Sequence, residues 1–145
     1  MKKMPLSDAE FQRLGFNFAI QITKEDFAAG TGNTLTLAVA DVVKGSAVRC
    51  AAFFLKKPFV SSDGTLISIA GTLGDGDSAT RFLASTEMCL AGTEVEQAIG
   101  NTAFVYGVND TIDLFLTATA AKVLSTVTGG ELWIQLQLGS VNPGV

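Results

Sequence analysis

The chain predicts an all-β fold: an antiparallel β-sandwich, jelly-roll-like, with a short N-terminal arm. Three observations lead there. Apolar and polar residues alternate with a period of two over several segments, most cleanly at 112–119 and 131–138, which is the pattern of a strand with one face in a core. Clusters of turn-forming residues separate these segments at intervals of roughly 10 to 15 residues, a rhythm of sandwiches and jelly rolls and not of βαβ units. Residues 45–83 then give a long apolar segment, a Ser61-Ser62-Asp63-Gly64 turn, an alternating segment, and a Gly74-Asp75-Gly76-Asp77 corner ahead of Arg81-Phe82-Leu83. That order describes a hairpin of a sandwich, not a catalytic site.

Size and charge set the outer limits. With 145 residues, 48% of them hydrophobic, a single sandwich domain over residues 15–145 can bury a sizeable core without a covalent staple. Charged residues make up 17%, below the roughly 25% of ordinary soluble domains, and there are 15 glycines. Such a balance is common in tightly packed β proteins and in subunits of assemblies. A net charge of −4 supplies no basic stripe for nucleic acid. No apolar run approaches the roughly 18 residues of a membrane span, and residues 1–15 lack the apolar stretch of a secretory signal. The expectation is a protein with neither a nucleic-acid nor a membrane partner, folding in a reducing cytoplasm. Cys50 and Cys89 read either as a disulfide or as two small buried thiols.

Taken in order, residues 1–14 stand apart as an arm. Ser7 and Glu10 have capping-box spacing ahead of Phe11 and Leu14, which allows a helical turn ending at Gly15. The segment is either a frayed tail or an arm that docks on a neighbouring subunit through Met4, Leu6 and Phe11. From Gly15 the period becomes two: Phe16, Phe18, Ile20 and Ile22 share one face. A turn at residues 30–33 leads to a strand over 34–40, and residues 47–54 are apolar on both faces, as in a central strand. Pro58 donates no hydrogen bond, so pairing is expected to stop near Lys57. In residues 65–73, Ile67, Ile69 and Leu73 are expected inward, with Gly71 marking a bulge or a close approach of another backbone. Residues 86–90 suggest a turn of helix and 103–106 a short strand.

The search for chemistry returns exclusions. There is no histidine, so no Ser-His-Asp or Cys-His relay and no imidazole ligand. Neither a dinucleotide fingerprint nor a P-loop is present. The expected tally is no catalytic residues, no cofactor and no metal. The alternating carboxylates of the Asp75-Gly76-Asp77 corner hint at calcium, but Ala79 and Thr86 fall where a calcium loop needs ligands. The simpler reading is a turn in which glycines supply positive φ, aspartates bond their own backbone, and Asp77 pairs with Arg81. Glu87, Glu94 and Glu96 read as solvated or interfacial charges.

Trp133 shares its face with Glu131, Gln135 and Gln137, while Phe115 lies opposite Leu114 and Leu116. Two large rings on otherwise polar faces suggest an inter-subunit contact, unless a second sheet covers them.

A resemblance adds to this. The run from Val43 to Val48 (VKGSAV), the strand at 65–73, the Gly74-Asp75-Gly76-Asp77 corner before Arg81-Phe82-Leu83, and the closing Gly130-Glu131-Leu132 strand resemble small tailed-phage virion proteins, namely capsid decoration (cement) proteins and head-fibre bases. The similarity covers residues 33–138, and the sequence departs from the pattern by placing three residues between Asp77 and Arg81. The resemblance implies a β-sandwich or jelly roll without catalytic residues, of a kind that often forms a homotrimer on the capsid surface of the virion. It also implies binding to the major capsid protein. Candidate contact residues are Met4, Leu6, Phe11, Phe115 and Trp133; the alternative is a receptor- or glycan-binding fibre module using Trp133 or Tyr106.

Overall fold

The computed structural model describes residues 1–3, 15–89, 96–100, 103–119 and 122–140. Their strands are β1 (Lys2–Lys3), β2 (Phe18–Thr23), β3 (Thr34–Val42), β4 (Ser46–Ser61), β5 (Ile69–Gly74), β6 (Leu83–Glu87), β7 (Glu96–Gly100), β8 (Phe104–Val105), β9 (Asp110–Ala118) and β10 (Val127–Ser140). A one-turn helix α1 (Lys24–Phe27) and a 3-10 turn (Leu124–Thr126) complete the described elements. One sheet has the order β1-β2-β10-β4-β7, with β8 also on β4, and the other runs β3-β9-β5-β6. Every pairing is antiparallel.

This order is a jelly roll. β2 pairs with β10, β3 with β9, β4 with β7 and β8, and β5 with β6, as in one long hairpin folded over on itself so that alternate pairs fall in opposite sheets. The fold expected from the periodicity is the fold observed. Side chains alternate as the period of two requires: Ile20, Ile22, Phe53, Leu55, Leu132, Ile134 and Leu136 from the first sheet meet Leu73, Ile112, Leu114 and Leu116 from the second in a common core.

Several boundaries differ from expectation. β4 continues past Pro58 to Ser61. The register jumps from Glu131↔Lys57 to Gly129↔Val60, so Pro58 and Phe59 face the single residue Gly130. The bulge hides the missing donor of proline, and the Phe59 N–H turns instead to the Met88 carbonyl at 2.8 Å. Gly130 is required there: its φ is +124° and a Cβ would lie 2.6 Å from Phe59 Cα.

β5 starts only at Ile69. Ile67, expected inward, is 68% exposed because Asp63 closes a tight turn through the Thr65 N–H and hydroxyl, leaving Leu66 as the buried residue. Gly71 marks a bulge, since the β5–β6 register shifts beside it; what approaches it is not another backbone but the Met88 side chain, whose methyl would lie 2.5 Å from a Cβ. The expected helical turn at 86–90 is strand β6 up to Glu87; cross-strand pairing with Ala70 and Gly71 overrides the weak helical pattern. Cys50 and Cys89 are free thiols.

Candidate functional site

Two polar constructions stand out. The first is the acidic corner between β5 and β6. Asp75 is 2% exposed and its carboxylate accepts from Arg81 Nε at 2.5 Å, Tyr106 OH at 3.0 Å, and the backbone N–H groups of Asp77 at 3.1 Å and Ser78 at 2.9 Å. The Arg81 guanidinium lies 3.8 Å from the Phe104 ring centroid, and Phe104 meets Tyr106 edge-on at 4.9 Å. Arg81 therefore pairs with Asp75 and not with Asp77, whose side chain is exposed. The positive-φ glycines among the described residues are Gly15, Gly45 and Gly130. Gly74 serves by proximity instead: a Cβ there would sit 1.9 Å from the Ser78 carbonyl oxygen.

Electrostatics follow from this packing. Desolvation alone would raise the Asp75 pKa, but the bonds from Arg81, Ser78, Tyr106 and Asp77 outweigh it and hold the carboxyl below its usual range. Burial, then the bond to Asp75, pushes the Tyr106 phenol strongly upward. Desolvation also raises Asp113, with the Asp110 and Asp75 charges adding to it against the Thr111 hydrogen bond. This corner is a joint. It ties the β5–β6 loop of one sheet to the β8 region of the other, with four donors converging on the Asp75 carboxylate.

The second construction lies on the outer face of the larger sheet. Trp133 is half-buried between Gln21 of β2 and Phe54 of β4, its cross-strand partners. Its Nε1–H donates to Glu131 Oε1 at 2.6 Å, and the same oxygen accepts from Gln21 Nε2 at 2.7 Å. The Phe54 and Trp133 rings are 6.3 Å apart, and Lys56 Nζ lies 4.9 Å and 4.5 Å from their centroids. The result is a ridge of two rings and a cation, held in place by hydrogen bonds to its flank.

Of the residues singled out from sequence, Trp133 falls in this ridge. Phe115 is half-buried between Thr36 and Thr72 on the outer face of the smaller sheet, so the two rings lie on opposite sides of the sandwich. Neither is covered by the other sheet. Met4, Leu6 and Phe11 lie outside the described residues, as does Glu94. Tyr106, 3% exposed and bound to Asp75, is removed as a glycan platform. Glu87, read as a solvated or interfacial charge, is a structural pin: it accepts from the Ser68 hydroxyl and from the backbone N–H groups of Ile69 at 3.0 Å and Cys89 at 2.9 Å. Phe54, Lys56 and Gln21 escaped sequence reasoning because only the strand register brings them to Trp133.

No family model matches the chain and no curated protein matches it. A solved chain titled "Cyanophage Pam1 capsid asymmetric unit" is similar at a TM-score of 0.44 and 15% identity, over 92% of this chain and 96% of that one. Among the described residues no group of three or more His, Cys, Asp or Glu is placed to hold a metal. No helix among them is long and apolar enough to cross a membrane.

Proposed function

We propose that the chain is a non-enzymatic structural protein of a phage virion, a decoration protein that clamps neighbouring major capsid subunits from the capsid surface as a homotrimer. What carries the reading is the nature of the acidic corner. This corner, one of the segments in which the sequence resembles phage decoration proteins, is a joint between sheets whose carboxylate is taken up by four internal hydrogen bonds, and not a site open to a substrate. The absence of histidine agrees with a role in adhesion. The Trp133–Phe54–Lys56 ridge is the type of aromatic and cationic surface that anchors protein contacts. Several modest contacts made at once by a trimer then hold far longer than any one of them.

Sedimentation of the purified protein, followed by co-pelleting with capsids assembled without it, tests the proposal. A trimer that pellets with capsids, and whose binding weakens about tenfold or more in Trp133→Ala, is the expected result. A strict monomer that stays in the supernatant sinks the proposal. Binding to a glycan array that depends on Trp133 would replace it with the fibre-module reading.

A further inference from the structure

One end of the sandwich gathers the β3–β4, β5–β6 and β8–β9 connections, and main-chain bonds set two of these loops rigidly together. Gly45 N–H donates to the Tyr106 carbonyl at 2.8 Å, Tyr106 N–H to the Ser46 carbonyl at 2.9 Å, and Lys44 N–H to Asn109 Oδ1 at 2.9 Å. The third loop is tied to the same base through Asp75 and Tyr106. On this base stand Val43, Val105 and Val108, which are 62%, 51% and 67% exposed. Val42 pairs with Asp110 and Asp41 with Thr111, so the strand ends that lead into Val43 and follow Val108 carry Asp41 and Asp110. Asp41 and Asp77 are exposed and Asp110 is half-buried, against Lys44 as an exposed cation; Arg81 is taken up by Asp75.

We infer that this end is a docking surface for a protein face that presents an apolar depression ringed by lysine or arginine. β-Branched side chains on a rigid base lose little conformational freedom when covered, so their burial is not cancelled by ordering. Charge selects the class of partner. A second copy would bring the same carboxylates against these, and a nucleic acid or an anionic lipid would be repelled by a chain of net charge −4. A basic rim is attracted, steered and held in register. The inference rests on the capsid-binding reading and adds to it which end of the sandwich meets the lattice.

The test uses the full chain and heads of the phage that encodes it, assembled without it. Two double variants, Val43→Glu with Val108→Glu and Asp41→Lys with Asp77→Lys, alter exposed positions and are first checked for unchanged circular dichroism and Tm. Expected are a loss of affinity of about tenfold or more in each, wild-type binding that weakens with added salt, and a reduced salt dependence in the charge-reversed variant. Folded variants that pellet like wild type overturn the inference while leaving the capsid reading intact. Wild type that ignores the heads overturns both. Variants that instead dissociate an oligomer in sedimentation overturn the inference by assigning this end to copy–copy contact.

Discussion

Asp75 illustrates how one side chain can decide the meaning of a motif. Its carboxylate satisfies two side chains and two backbone N–H groups at once, so Asp75→Ala leaves four donors without their acceptor. Because Arg81 retains some solvent access, the cost falls at the lower end of that for breaking a buried ion pair, about 3 kcal/mol by urea denaturation. Tyr106→Phe removes one of the four bonds and costs about 1 to 2 kcal/mol. The pH dependence follows from signs alone. A carboxyl with a folded pKa below its ordinary 3.8 contributes stability that is present above that value and is lost as pH falls through the folded pKa. Asp113 runs the other way: its raised folded pKa means that acidification from neutrality first relieves a cost. Stability should therefore hold or rise slightly on mild acidification and then fall steeply below the ordinary carboxylate range. In Asp75→Asn the steep limb should flatten; an unchanged limb would locate the acid-sensitive group elsewhere.

At the level of the strand, the bulge where β10 crosses the end of β4 reconciles a proline with a continuous ladder. Gly130 is its weak point. An alanine there must hold φ near +124° with its Cβ 2.4 Å from Phe59 Cδ1 and 2.6 Å from Phe59 Cα, and the backbone atom cannot swing away. Gly130→Ala is expected to cost about 2 to 4 kcal/mol from strain and overpacking together. Gly32→Ala has nothing within 4 Å of the new atom and should fall within about 0.5 kcal/mol of wild type. Comparable midpoints for the two variants in denaturant would refute the bulge as a necessary feature. Element existence was readable from the two-residue period in β2, β3, β9 and β10, and from the run apolar on both faces in β4. Their ends were less so: Pro58 announced a break that a bulge absorbs, and residues 86–87 pair as strand because β5 lies beside them.

For the whole molecule, the jelly-roll order pairs β2 near the start with β10 near the end, so much of the core forms only when distant segments meet. Refolding should be slow for a domain of this size, in the range of milliseconds to seconds by stopped flow. A truncation inside the core should lower stability everywhere at once. Ile134 is fully buried and pairs with Ile20 on one side and Phe53 on the other. Ile134→Ala is expected to cost about 2 to 5 kcal/mol, with tryptophan fluorescence and far-UV circular dichroism reporting one coincident transition. Separate transitions for the two probes would mean that the two sheets fold independently, against the shared core.

Alternation along the chain was enough to determine an all-β sandwich and the inward faces of its main strands, because a strand's side chains point to opposite faces whatever lies next to it. The missing histidine likewise removed whole classes of catalysis without reference to shape. Partners across space were a different matter. That Lys56, Phe54 and Gln21 collect around Trp133, and that Trp133 and Phe115 lie on opposite surfaces, depend on strand order and register. Those are set by how two sheets pack over a common core, a property of the folded whole to which no single stretch of residues has access.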